Sequence, residues 1–424
     1  MRFVTRKSAA LAAVIAGLAI GAPAQAKWVA TWEAPPHAPL STQGPFAAAS
    51  YDNVTLSQIL RVSQGGDKVR VRFSNRYGPG PLTIGAARIV RIDEDNKEIA
   101  GTSRTLTFGG DAQAVIPRGA PFTSDAVDLS LPDLSRVKVE FYLPDPTGPC
   151  TCHLTGVDEL DVSPPGNFVG KPFEPVSKAQ YRAFLSVVEV DSPKALGTIV
   201  AYGDSITDGV GSTAGTNHRW PDILADRLHQ AGKEWAVANA AISGNRILSP
   251  GMGDAALARF DQDVLSLPNV KYIIVYEGVN DIGNRFGRPP GQRQGGQSQG
   301  GQRPSGFPTL DQPKITVEQM IAGYKQIIAR AHEKGIKVIG APIGPYKGAS
   351  YWSEAGEAAR EKINDWIVNG GAFDGVTRLD LAFADPKDPQ KIREGYHFGD
   401  HLHGNDAGYK AAGDSIDLSL FKKD

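Results

Sequence analysis

"ALGTIVAYGDSITDG", Ala195 to Gly209, is the stretch on which the fold turns. A continuous apolar run stops at Gly203. An acid and a hydroxyl follow at Asp204 and Ser205, and Thr207, Asp208 and Gly209 close a turn. Continuous rather than alternating hydrophobicity marks a strand covered on both faces, the pattern of a parallel sheet. Such sheets gather ligands at the carboxyl ends of their strands, where loops and helix N-termini converge. Ser205 is therefore expected at a strand-to-helix turn, with its hydroxyl exposed and its N–H near a positive dipole end.

The same rhythm continues downstream. "WAVANA", "VKYIIVYEG", "IKVIGAPIG" and "VTRLDLA" are short apolar runs separated by segments of helical spacing. The clearest segment places Val317, Met320, Ile321, Tyr324, Ile327 and Ile328 on one face, with Thr316 and Gln319 as a capping box. Strands alternating with helices predict a three-layer α/β domain with a parallel, flavodoxin-like sheet over residues 191–424. Before Asp191-Ser192-Pro193-Lys194 the period is two. Val69, Val71 and Phe73 alternate with Arg70, Arg72 and Ser74, and Val137, Val139, Phe141 and Leu143 alternate with Lys138, Glu140 and Tyr142. Residues 27–190 are accordingly expected to form an antiparallel β-sandwich, jelly-roll-like, that either binds carbohydrate or buttresses its neighbour. Residues 287–308, rich in Gly, Gln, Pro and Arg, offer hardly an apolar side chain to offset ordering entropy, and a flexible insertion is expected there. Its arginines could touch an anionic or polysaccharide ligand or simply be solvated.

The whole chain bounds the function. Its 424 residues are 41% hydrophobic, enough for two cores. Forty-five basic and 46 acidic side chains leave a net charge of −1, so no broad field attracts nucleic acid or an anionic membrane. Arg2, Arg6 and Lys7 precede an apolar stretch from Ala9 to Ile20 and the small-x-small triplet Ala24-Gln25-Ala26. Residues 1–26 read as a cleaved signal peptide, which makes the mature protein exported, periplasmic or extracellular, and no later segment suggests a membrane span. The two cysteines, Cys150 and Cys152, suit a tight disulfide in an oxidising compartment; a zinc site with His153 is the competing reading.

Chemistry concentrates at the strand ends. "NAAISGNRIL" ends the second apolar run in Ser243-Gly244-Asn245, and the third ends in Gly278-Val279-Asn280-Asp281. Gly244 can bring a bare N–H close to a substrate oxygen, and Asn280 can offer a neutral NH2 donor. With the Ser205 amide these make three donors for a developing oxyanion. Near the C-terminus, in "YHFGDHLHGNDAGYKAAG", Asp400 and His403 are spaced so that the carboxylate can fold back onto Nδ1 of the imidazole, leaving Nε2 to take the proton of Ser205.

In order and rough spacing, Gly203-Asp204-Ser205, Gly244, Gly278-x-Asn280-Asp281 and Asp400-x-x-His403 resemble the four blocks of the SGNH, or GDSL-type, hydrolases. The resemblance covers Ala195 to about Phe421, and the β-rich half is similar to the N-terminal module of exported bacterial members. It implies Ser205 as nucleophile, His403 as base, Asp400 as its orienting acid, and the Ser205 amide, Gly244 and Asn280 as oxyanion donors. The insertion after Asn284 departs from the compact version of the family. The expected activity is metal- and cofactor-independent hydrolysis of carboxylic esters, with a small ester or an acetylated glycan as substrate: O-acetyl groups of a polysaccharide or cell-wall glycan come first, and a broad short-chain or aryl esterase, or a lipase-like hydrolase, is the alternative.

Rival readings remain at this level. Asp204 or Asp208 could simply cap a turn, with Asp281 beside them in support of the site. His401, His403, Asp400 and Asp406 could bind a divalent metal, which would leave Ser205 and Asn280 without work. A non-catalytic polysaccharide-binding protein on an esterase scaffold is the alternative from another class. No G-x-S-x-G follows an apolar strand, the one match, Gly296 to Gly300, lying in the Gly/Gln-rich stretch, and a P-loop and a correctly placed G-x-G-x-x-G are absent, which argues against the nucleophile-elbow hydrolases, P-loop phosphate chemistry and dinucleotide chemistry.

Overall fold

A computed structural model describes residues 26–39, 48–287 and 315–423. The signal-peptide reading for residues 1–26 falls almost wholly outside the described residues, and so does all but Gly287 of the stretch 287–308.

The N-terminal half is antiparallel and built from several sheets. One sheet runs Trp28–Glu33, Leu185–Asp191, Gly66–Ser74 and Pro121–Thr123, with Val127–Leu131 also paired to Gly66–Ser74. A second of six strands runs Ser177–Ala179, Leu160–Pro165, Val54–Arg61, Arg136–Leu143, Ala86–Ile92 and Arg104–Thr105. Val69, Val71 and Phe73 from the first meet Leu56, Leu60, Val137, Val139 and Phe141 from the second in one buried cluster, the face that period-two spacing predicts.

The opposite face of the first sheet is not solvated, as alternation alone would suggest. Arg70 and Arg72 close on the fully buried Glu189 at 2.5 and 2.6 Å, and Arg72 reaches on to Ser266 Oγ. Arg76 bonds Asp254 and Asp263 at 3.0 Å each. Ala30 N–H donates to Thr198 Oγ1, and Ser63 Oγ donates to the Val237 carbonyl. The polar face is thus the seam against the C-terminal half, and its charges are paired because a lone buried charge is costly.

In the C-terminal half, Gly197–Gly203, Trp235–Asn239, Val270–Tyr276, Lys337–Gly340 and Gly375–Val376 form a parallel five-stranded sheet. Numbered along the chain, the spatial order is 2-1-3-4-5, the flavodoxin-like order, which puts a topological switch beside the first strand. All seven residues of that strand are buried, in agreement with its unbroken apolar run. Helix Val317–His332 begins with the capping box read from Thr316 and Gln319 and buries Met320, Tyr324, Ile327 and Ile328. Among the described residues no helix is long and apolar enough to cross a membrane.

Candidate active site

The first parallel strand ends at Gly203, and the one-turn helix Ser205–Asp208 follows at once. Asp204 is its N-cap: Oδ1 accepts the Ile206 N–H at 3.0 Å, and Gly209 closes the turn in the left-handed region at φ +99°. This local geometry holds the Ser205 hydroxyl at the rim of the sheet.

Ser205 Oγ lies 2.7 Å from His403 Nε2, across 198 residues of chain. His403 Nδ1 lies 2.6 Å from Asp400 Oδ2. The other carboxylate oxygen of Asp400 accepts the N–H groups of Leu402 and His403 at 3.0 Å each, so the acid is pinned to its own loop. The residues on either side of Asp400 have positive φ: Gly399 at +116° and His401 at +59°. The strained turn at His401 is what folds Asp400 back under the ring, an outlier located at a site rather than scattered. Burial alone would raise the Asp400 carboxyl, but the His403 ring bond, its charge and the two backbone N–H groups outweigh that and hold it below the ordinary carboxylate range.

The second strand leads to Ser243-Gly244-Asn245. Gly244 has φ +69°, a backbone state in which a side chain is strained, and an added Cβ would stand 2.9 Å from Met252 Cγ. Three side chains fix this turn. Asp208 Oδ2 accepts Ser243 N–H at 3.0 Å and Ser243 Oγ–H at 2.7 Å. Asp281 accepts Ile247 N–H, at 3.0 Å to Oδ2. Arg259, fully buried, donates to Asn245 Oδ1 at 2.8 Å and to the Ala240 and Gly203 carbonyls at 2.6 and 3.1 Å. Asn280, on the first turn of helix Val279–Arg285, places Nδ2 3.4 Å from Asp204 Oδ2. Burial pushes the Asp204 carboxyl well up and lifts Asp281 to about 6. Glu277, buried at the end of the third strand with both carboxyl oxygens lacking a hydrogen-bond partner, is pushed up in the same way.

The geometry decides between alternatives that the sequence leaves open. Asp208 does not cap the turn; Asp204 takes that bond, which frees Asp208 to hold Ser243 and, from the other side, His153 of the β-rich half at 2.9 Å. Of the four residues considered for a metal, Asp400 and His403 bond each other and the other two have different partners. Asp406 Oδ1 accepts Thr213 N–H and its Oδ2 faces His218, while His401 packs on His397 with ring centroids 4.3 Å apart. Among the described residues no three His, Cys, Asp or Glu side chains are grouped to hold a metal ion. Cys150 and Cys152 form a disulfide with Cα atoms 5.4 Å apart, so neither is free to bind zinc with His153. Sequence reasoning missed Arg259, Glu277 and His153. Arg259 had a signal, a lone cation in the apolar face of "ALARF".

The arrangement as a whole has a hydroxyl within proton-transfer distance of an imidazole, a carboxylate behind the ring, and a fixed Gly turn with an Asn amide nearby. Residues 201–411 match the GDSL-like lipase/acylhydrolase family. No curated protein matches the chain. Among solved structures, a lipolytic protein of the G-D-S-L family from Desulfitobacterium hafniense is 18% identical with a TM-score of 0.37, covering 51% of this chain and 96% of its own. An acetyl xylan esterase, AlAXEase, is 19% identical with a TM-score of 0.36, covering 51% and 96%. A GDSL-like lipase from Bacteroides thetaiotaomicron is 17% identical with a TM-score of 0.34, covering 53% and 87%.

Proposed function

Through residues 201–411 the chain belongs to the GDSL-like lipase/acylhydrolase family of carboxylic ester hydrolases, and from that premise we propose that it is an exported serine esterase whose catalytic residues are Ser205, His403 and Asp400. The observation that carries the assignment is the hydrogen-bonded line from Ser205 Oγ through both His403 ring nitrogens to Asp400, at 2.7 and 2.6 Å.

The carboxylate fixes the tautomer in which Nδ1 carries hydrogen, and Nε2 is then free to accept the Ser205 proton as Oγ attacks the ester carbonyl. The Ser205 and Gly244 N–H groups and the Asn280 amide stabilise the oxyanion. His403 returns the proton to the departing alcohol, leaving an acyl group on Ser205, and a water activated by the same nitrogen releases the acid.

For the substrate we favour O-acetyl groups on a polysaccharide or cell-wall glycan. Phe398 is 52% exposed, and its ring lies 5.9 Å from that of His403, the residue from which the alcohol must collect its proton. A sugar can lay its C–H face on such a ring. The Cys150–Cys152 disulfide suits an oxidising compartment, in keeping with the leader read from residues 1–26. Acetate release from acetylated xylan, pectin and peptidoglycan, compared with 4-nitrophenyl acetate and butyrate, tests the reading. Turnover of one glycan above that of the simple esters supports it. Activity on simple and aryl esters alone replaces it with a broad short-chain esterase.

A further inference from the structure

His153 stands in the β-rich half, immediately after the Cys150–Cys152 disulfide, on the two-residue strand Cys152–His153. Its ring is buried. Nδ1 lies 2.8 Å from the Pro35 carbonyl, which can only accept, so Nδ1 carries a hydrogen. Nε2 lies 2.9 Å from Asp208 Oδ1. Asp208 is three residues beyond Ser205 on the same one-turn helix, and its second oxygen holds both the N–H and the hydroxyl of Ser243. One carboxylate therefore joins the nucleophile's helix, the turn containing Gly244 and a side chain from the other half of the protein.

The surroundings keep the ring in place and favour its charged form. Asp208 and the Pro35 carbonyl raise the affinity of His153 for its second proton against the opposing effects of burial and of Arg182, which is itself held by Asp158. The neighbouring His37 ring, 6.3 Å away, stays neutral: burial lowers it to about 4, and its Nε2 accepts the Leu154 N–H at 3.0 Å. A buried ion pair is a poor device for stability alone, because apolar side chains of similar volume usually do as well. What it supplies here is direction.

We infer that His153 is a positioning residue of the hydrolase centre: through Asp208 it fixes the Ser243–Gly244 turn so that the Gly244 N–H is aimed where the Ser205 N–H is aimed. The inference rests on the esterase reading above. It makes the β-rich half part of the catalytic unit, because that half supplies the donor that holds Asp208 Oδ1.

The test uses the full chain and 4-nitrophenyl acetate. His153→Ala should lower kcat about 10- to 100-fold with KM within about twofold, somewhat less than the loss of a whole oxyanion donor. His153→Gln keeps an N–H donor for Asp208 and should recover most of that loss. Ser243→Ala, which removes one bond on the far side of the same carboxylate, should lower kcat about threefold to tenfold, and the double variant should be no slower than His153→Ala by more than about twofold. If His153→Ala does not fold, Ser243→Ala and His153→Gln decide: a Ser243→Ala enzyme with wild-type kcat, or a folded His153→Gln enzyme more than about tenfold slower than wild type, overturns the inference. So does a folded His153→Ala enzyme with wild-type kcat, or one in which only KM rises. A wild-type protein inactive on this ester and unlabelled by a fluorophosphonate would instead remove the esterase reading itself.

Discussion

Replacing Asp400 by Asn separates the electrostatic contribution of the acid from its structural one. Oδ1 of Asp400 accepts two backbone N–H groups at 3.0 Å, and the amide oxygen of Asn can keep both, so the loop should hold its shape. The other oxygen, 2.6 Å from His403 Nδ1, becomes an NH2 group that faces a ring N–H. Two donors cannot bond, and the ring is driven to the tautomer with hydrogen on Nε2, which cannot accept the Ser205 proton. The charge is lost as well. The Asp400 side chain is 33% exposed, so the relevant dielectric is that of a protein surface. At an effective constant of about 20, a carboxylate roughly 4 Å from an imidazolium contributes about 4 kcal/mol, or about 10³-fold in rate. Adding the tautomer effect, kcat on 4-nitrophenyl acetate at pH 8 should fall about 10³- to 10⁴-fold, with a melting temperature within a few degrees of wild type. A folded Asp400→Asn enzyme within about tenfold of wild-type kcat would refute this account of the acid.

Three further outcomes follow from the same geometry. Gly244→Ala forces a side chain into φ +69° and against Met252, 2.9 Å away; it should cost about 1–2 kcal/mol of stability and about 10²-fold in kcat, read by thermal melting and by turnover. Asp281 has a carboxyl raised to about 6 from an ordinary 3.8, so its folded state binds the proton more tightly than the unfolded chain. Protein stability should therefore increase as pH falls from above 6 towards 4, and Asp281→Asn, whose amide oxygen still accepts from Ile247, should weaken that dependence, leaving the parts due to Asp204 and Glu277, and add about 1–3 kcal/mol at pH 8 in urea titrations. Reducing the Cys150–Cys152 disulfide opens a loop of only three residues, so the loss should be small, about 1.5 kcal/mol in the same titration.

The period of the hydrophobic pattern carried the architecture of both halves. Val69, Val71 and Phe73 face the core that alternation assigns them, and the unbroken run before Gly203 is the fully buried first strand. Alternation says which face is apolar but not what lies against the other, so the pairing of Arg70 and Arg72 with Glu189 on that face, and of Arg76 with Asp263 across the seam, was invisible in sequence. Ser205, Asp400 and His403 were legible because residue type and local spacing point to the chemistry, with Asp400 and His403 close enough to meet within one turn. His153 was not, because its partner lies 55 residues away in a half of different rhythm, and nothing local distinguishes a histidine after a disulfide from a solvated one. Which acid caps the turn was open in sequence for a related reason: two acids flank the serine, either could cap it, and only the backbone geometry shows that Asp204 does.

Covalent labelling tests the central claim most directly. A fluorophosphonate should add one phosphonyl group per chain, mapped by peptide mass spectrometry to Ser205, with the rate of labelling sharply reduced in His403→Ala and no adduct in Ser205→Ala. Full ester hydrolysis by the Ser205→Ala protein, or an adduct on a different side chain, would contradict it.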